Sequence, residues 1–85
     1  MTLDDRTARL IAVGASITAN CQPCLDMNVG RALKAGASPQ DIADAIEVGK
    51  MVRHGAARTM DRLAAGLVAA PPSPLVADGE CGCGS

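Results

Sequence analysis

The chain has no phenylalanine, tyrosine or tryptophan in its 85 residues. Without an aromatic ring there is nothing on which a nucleobase can stack and no face to cage a cation. A surplus of positive charge is also missing. Eight Lys and Arg stand against nine Asp and Glu, a formal net charge of −1, so no basic field draws in nucleic acid or an anionic membrane. The longest apolar run, near Leu10 to Ala15, is far too short to cross a bilayer. The opening Met1-Thr2-Leu3-Asp4-Asp5-Arg6 is acidic rather than signal-like. These features set the expectation of a cytoplasmic protein whose partners are neither nucleic acid nor membrane.

What is present is small and aliphatic. Apolar residues make up 48% of the chain, supplied by Ala, Leu, Ile, Val and Met. Such side chains suit closely packed helices better than a sandwich, whose strands favour aromatic and β-branched residues. The expected class is all-α. A chain of this length buries only roughly 60% of its unfolded surface, so the fold calls for a staple or for a second copy of itself.

The pattern predicts three helices and a tail. The first runs from Leu3 to Ala19, with Leu3, Leu10 and Ile17 at heptad spacing. From Leu10 to Ala19 it is apolar or small on every side, which predicts a helix buried all round, with Gly14, Ala15 and Ala19 admitting another backbone. The second runs from Cys21 to Ala35 on a stripe of Leu25, Val29 and Leu33. Pro23 fits only its first turn, and Gly36 stops it. The third starts with Ser38 as N-cap, Pro39 behind it and Asp41 in its first turn. Its main stripe is Ile42, Ala45, Ile46, Gly49, Ala56, Met60, Leu63 and Leu67. A second strip, Val48, Met51 and Val52, suggests a subunit interface, while Glu47, Lys50, His54, Arg58 and Asp61 read as a solvated face. Three prolines among Pro71-Pro72-Ser73-Pro74 end the helix. The expected organisation is one helical domain over residues 1–70 and a flexible Pro/Gly-rich tail over 71–85, closing in Cys81-Gly82-Cys83.

Chemistry concentrates at Asn20-Cys21-Gln22-Pro23-Cys24. Cysteines at i and i+3 at a helix start lie within reach of a disulfide. The helix N-terminal N–H groups favour a thiolate on the first of them, and the second can resolve a mixed disulfide. The same spacing also supplies half of a zinc site, or two inert buried cysteines.

The stretch from Leu10 to Cys24, continued through Ala35-Gly36-Ala37-Ser38 and Ile42 to Arg53, resembles the alkylhydroperoxidase-D-like, carboxymuconolactone decarboxylase superfamily over residues 3 to 68. The resemblance implies an all-helical fold assembled as an oligomer, a trimer or a hexamer, and peroxide or disulfide reduction at the cysteine pair with a dithiol as reductant. The family pattern has a histidine four residues after the second cysteine and a glutamate twelve before the first, which together relay protons to the thiols. This chain carries Asn28 and Arg9 at those positions. Asn28 exchanges hydrogen bonds but carries no proton near neutral pH, and Arg9 does not deprotonate.

If the second and third helices form an antiparallel hairpin about Gly36 to Ser38, Cys21 comes level with His54, Cys24 with Met51 and Asn28 with Glu47. His54 and Glu47 then stand as candidate supporting groups against a reading as solvated residues. Arg53, nearer the apolar side, is a candidate thiolate partner or an interface ion pair.

Ten tail residues span at most about 33 Å, enough to return over the roughly 24 Å back to the level of Cys21. The sequence therefore supports an oligomeric thiol–disulfide oxidoreductase or peroxide-reducing antioxidant protein, in which Cys21 attacks, Cys24 resolves and Cys81 and Cys83 pass electrons from a dithiol or disulfide partner. That reading needs no cofactor. The alternatives are a soft-metal carrier holding Cu(I) or Zn(II) on Cys21, Cys24, Cys81 and Cys83, and a non-catalytic oligomeric scaffold.

Overall fold

The computed structural model describes residues 1–70. The tail, with the domain boundary and the Cys81-Gly82-Cys83 clip expected there, lies outside the described residues. Three helices follow in order, α1 (Asp5–Thr18), α2 (Gln22–Lys34) and α3 (Pro39–Ala69). No strand occurs among the described residues. Among the described residues no helix is long and apolar enough to cross a membrane.

Local chemistry sets each boundary. Asp4 caps α1 by accepting from the Thr7 backbone N–H at 2.7 Å, so α1 starts two residues later than the Leu3 expected from periodicity. Ser38 and Asp41 form a reciprocal capping box at α3, Asp41 N to Ser38 Oγ at 3.0 Å and Ser38 N to Asp41 Oδ2 at 3.0 Å. Hydrogen bonds from Thr7 to Asp4, and from the Ser38 backbone to Asp41, hold both carboxyls below the ordinary aspartate range.

The two interhelical turns are built alike. Asn20 (φ 55°) follows α1, and Gly36 (φ 96°) follows α2, each in the left-handed region. In the first turn Cys21 N donates to Ser16 O and Asn20 N to Ile17 O, at 3.0 and 3.1 Å. In the second, Ala37 N donates to Ala32 O and Gly36 N to Leu33 O, at 3.0 and 3.1 Å. Both are Schellman closures. Asparagine is the residue other than glycine that tolerates this conformation best, because its short side chain can hydrogen-bond locally.

α1 packs along both other helices, while α2 and α3 touch each other only slightly. This corrects the expected α2–α3 hairpin: α1 is the shared neighbour, and its packing decides which side of α3 faces Cys21. The core is small, with Val13, Ala32, Ala37 and Ile42 buried and Leu10, Leu25, Val29, Ala45 and Ile46 packed around them. Three further expectations are corrected. Leu33 is 49% exposed; the buried positions of α2 are Asn28 and Ala32. α1 is not covered all round, since Ile11, Ala15 and Ala19 are exposed. The main stripe of α3 is covered only from Ile42 to Gly49, and every residue from 51 to 70 is exposed. α3 is roughly 46 Å long, so its second half extends past the other described helices.

α1 and α3 meet backbone to backbone. Gly49 is buried, and a Cβ there would run into the Gly14 carbonyl oxygen and lie 2.9 Å from Ile17 Cβ. Thr18 Oγ1 seals the crossing by donating toward Gly49 O at 3.1 Å and Gly14 O at 3.2 Å. Gly49→Ala should therefore destabilise the chain by about 1–3 kcal/mol, despite alanine's better helix propensity. Gly30 has nothing near its absent Cβ, and Gly30→Ala should stabilise by about 0.5–1 kcal/mol. Urea unfolding of both variants checks the opposite signs.

Candidate functional site

The Asn20 turn delivers Cys21 to the N-cap of α2, where its backbone is extended (φ −102°, ψ 99°). Pro23, whose missing N–H costs nothing in a first turn, sits between the two cysteines. Cys21 and Cys24 are joined as a disulfide, S–S 2.05 Å and Cα–Cα 5.2 Å. The Cys24 backbone N–H points at Cys21 Sγ at 3.3 Å, so this sulfur occupies the place where a serine or aspartate would cap the helix. Both cysteines are half-buried.

Cys21 opens onto a shallow cavity of about 190 Å³, lined by Ser16, Ile17, Asn20, Cys21, Gln22, Leu25 and Arg53. Arg53 reaches it from α3. Its Nη1 donates to Asn20 Oδ1 at 3.1 Å and to Ile17 O at 3.4 Å. One nitrogen of the guanidinium is thus tied to the turn that carries Cys21. The ion pairs among the described residues are Arg6–Asp41, Arg9–Asp5 and Lys50–Glu47, and none involves Arg53. Among the described residues it is the one charged side chain lining the cavity.

Ser16 forms the floor. Its hydroxyl donates to Ala12 O at 2.7 Å and accepts from Asn28 Nδ2 at 3.3 Å. Both side chains are buried. This pair contains no group that titrates near neutral pH.

The remaining candidates lie elsewhere. Arg9 sits about two turns before Ser16 on α1. Its Nε is buried without a hydrogen bond, 3.4 Å from Asp5 Oδ1 in an ion pair that is close but poorly aligned. It does not line the cysteine cavity. Glu47 and His54 are exposed on another side of α3, in a surface depression with Lys50, Met51 and Ala57 that Arg53 also borders. Of the sequence-derived supporting residues, the structure brings Arg53 to the cavity that Cys21 lines and ties Asn28 to it through Ser16. It leaves Arg9, Glu47 and His54 outside. Among the described residues no three of His, Cys, Asp and Glu converge as a metal would require; the other two sulfurs of the four-thiol set, Cys81 and Cys83, lie outside them.

Sequence reasoning missed two residues. Ser16 is a small polar residue in an apolar run, and only the packing of α2 against α1 gives it a partner. Asn20 carried a signal, since an asparagine between two helices is a natural left-handed cap, but its grip on Arg53 is tertiary.

The family model of the carboxymuconolactone decarboxylase family matches residues 2–71. The chain belongs to that family. Searches among curated proteins and among solved structures each returned no match.

Removing the Ser16 hydroxyl leaves the Asn28 amide buried without its acceptor. Ser16→Ala should cost about 1–3 kcal/mol of stability. The same change should cost clearly less in an Asn28→Ala background, where the orphaned donor is gone. A double-mutant cycle from denaturant melts measures the difference.

Proposed function

We propose that this member of the carboxymuconolactone decarboxylase family is a thiol–disulfide oxidoreductase that cycles between the Cys21/Cys24 dithiol and its disulfide. The observation that carries the reading is the closed Cys21–Cys24 bond at the α2 N-terminus, with Cys21 facing a cavity.

In the reducing direction, the Cys21 thiolate attacks one sulfur of a substrate disulfide R–S–S–R′. A Cys21–S–S–R bond forms, the substrate S–S bond breaks, and R′–S⁻ leaves. The Cys24 thiolate then attacks Cys21 Sγ, closing the internal disulfide and expelling R–S⁻. Two electrons pass from protein to substrate, and solvent protonates the released thiolates. A dithiol partner reverses the steps to regenerate the pair. The α2 N-terminus and the Cys24 N–H favour the thiolate of Cys21. In this proposal Cys81 and Cys83 carry electrons in from the partner. Peroxide reduction would use the same sulfurs, but its leaving alkoxide or hydroxide needs a proton, and the buried Asn28–Ser16 pair has none to give. Disulfide exchange, which expels thiolates, suits the site better.

Assembly belongs to the same proposal. An apolar groove of about 440 Å³ runs beside the α1–α3 crossing, bordered by Leu10, Ile11, Val48 and Val52. Ile11, Val48, Met51, Val52, Met60, Leu63 and Leu67 are each 45% exposed or more. So much uncovered apolar surface on so small a chain calls for copies of itself, in the trimer or hexamer the family resemblance implies.

Two measurements test these readings. Given a disulfide substrate, Cys24→Ser should accumulate a mixed disulfide at Cys21, read as an added substrate mass. Cys21→Ser should form none and lose reductase activity by about two orders of magnitude or more; full activity in Cys21→Ser sinks the reading. Native mass spectrometry of the full chain should show a metal-free oligomer whose mass falls on oxidation as disulfides close. A monomer overturns the assembly, and stoichiometric zinc or copper held by reduced thiols favours the carrier alternative.

A further inference from the structure

The cavity beside Cys21 is asymmetric in charge. Among the described residues its lining contributes one cation, Arg53, and no carboxylate. The guanidinium is not left to wander. Asn20 Oδ1 and Ile17 O hold Nη1, which orients the group, while none of the ion pairs among the described residues engages its charge. Arg53 ends on two neutral oxygens, and its remaining donors, Nη2 and Nε, form no hydrogen bond among the described residues.

A guanidinium is built to take a carboxylate through two parallel N–H bonds. About 190 Å³ is room for a short thiol arm and one charged group, and too little for a folded peptide. We infer that the Cys21 cavity selects a small thiol or disulfide bearing a carboxylate, which Arg53 grips while the ligand's sulfur meets Cys21 Sγ. The inference rests on the redox reading above and names its substrate class. On the oxidised protein, the ligand thiolate attacks Cys21 Sγ. A ligand–Cys21 disulfide forms, the Cys21–Cys24 bond breaks, and Cys24 leaves as thiolate. A second ligand thiolate then attacks the ligand sulfur of that mixed disulfide, frees Cys21 as thiolate, and departs as the ligand disulfide. Two electrons enter the protein, and both ligand carboxylates are unchanged.

The test uses the full, reduced chain and three symmetrical disulfides of similar size. These are dithiodipropionate, an anion; bis(hydroxyethyl) disulfide, which is neutral; and cystamine, a cation. The rate of protein thiol loss is read for each against a free-thiol control. The expected order is anion, neutral, cation, with the anion ahead of the neutral probe by about threefold or more and the gap shrinking as salt is added. In Arg53→Gln the anion-to-neutral ratio should fall to about one. Arg53→Lys, which keeps the charge and loses the fork, should fall between. Equal rates for the three probes on the unaltered chain overturn the inference. So does a preference that persists in Arg53→Gln, including a uniform slowing of all three probes that leaves their ratio intact. If no probe outpaces the free-thiol control, the redox reading itself has failed and takes the inference with it.

Discussion

The contact between Gly14 and Gly49 is the constraint on which the rest of the molecule hangs. With no side chain on either residue, α1 and α3 approach until a Cβ on Gly49 would overlap the Gly14 carbonyl. Thr18 then bridges both helices through Gly49 O and Gly14 O. One turn further along α3 the register leaves Arg53 opposite the end of α1, where it finds Ile17 O and Asn20 Oδ1. The cation at the mouth of the cysteine cavity is therefore a consequence of a glycine crossing one turn away. A wider crossing would carry Arg53 off the Asn20 turn and leave Cys21 in an uncharged surface. The Arg53 charge and the close Gly14–Gly49 crossing are one arrangement.

The absence of aromatic residues shapes the remainder. A core of Val13, Ala32, Ala37 and Ile42 is too small to stabilise three helices alone, and among the described residues α3 from 51 to 70 stays exposed. Backbone chemistry carries much of what the core does not. The Asp4 cap, the Ser38–Asp41 box and two Schellman turns satisfy groups at the helix ends that would otherwise lie unpaired. These devices fix where helices begin and end but bury little apolar area. The stability they leave unsupplied is what the proposed assembly of copies would provide.

How much of this was legible in the sequence follows from the range of each interaction. The Ser38 start of α3, the Pro23 constraint on α2 and the Gly36 stop are all local, and the structure has them where the residues indicate. The cysteine pair was legible for the same reason, since i and i+3 at a helix start is a local geometry. Which stripe would be covered was not. Leu33 and Ala32 are adjacent and both apolar, and only the position of α1 buries the smaller one. Ser16 and Asn28 are twelve residues apart, a spacing that matches no helical period, so neither announces the other. The hairpin register failed because it treated α2 and α3 as direct neighbours. α1 lies between their chemistry, and it hands Arg53 to Cys21 while His54 and Glu47 are turned away.

The family resemblance implies a titratable relay where this chain has Asn28 and Arg9, and that departure is informative beside Arg53. A peroxide-reducing site must deliver a proton to a poor leaving group, so it needs a side chain that gains and loses one near neutral pH. Here the buried Asn28–Ser16 pair holds no ionisable group, and the charged side chain lining the cavity is a guanidinium. Such a site can bind an anion, orient it and stabilise a thiolate. Those are the tasks of exchange between sulfurs, where each leaving group is itself a thiolate that departs without a proton. On this view the Asn28 substitution and the Arg53-lined cavity belong together. The first leaves the site without a titrating relay side chain, and in the proposed reading the second would recognise a small charged thiol.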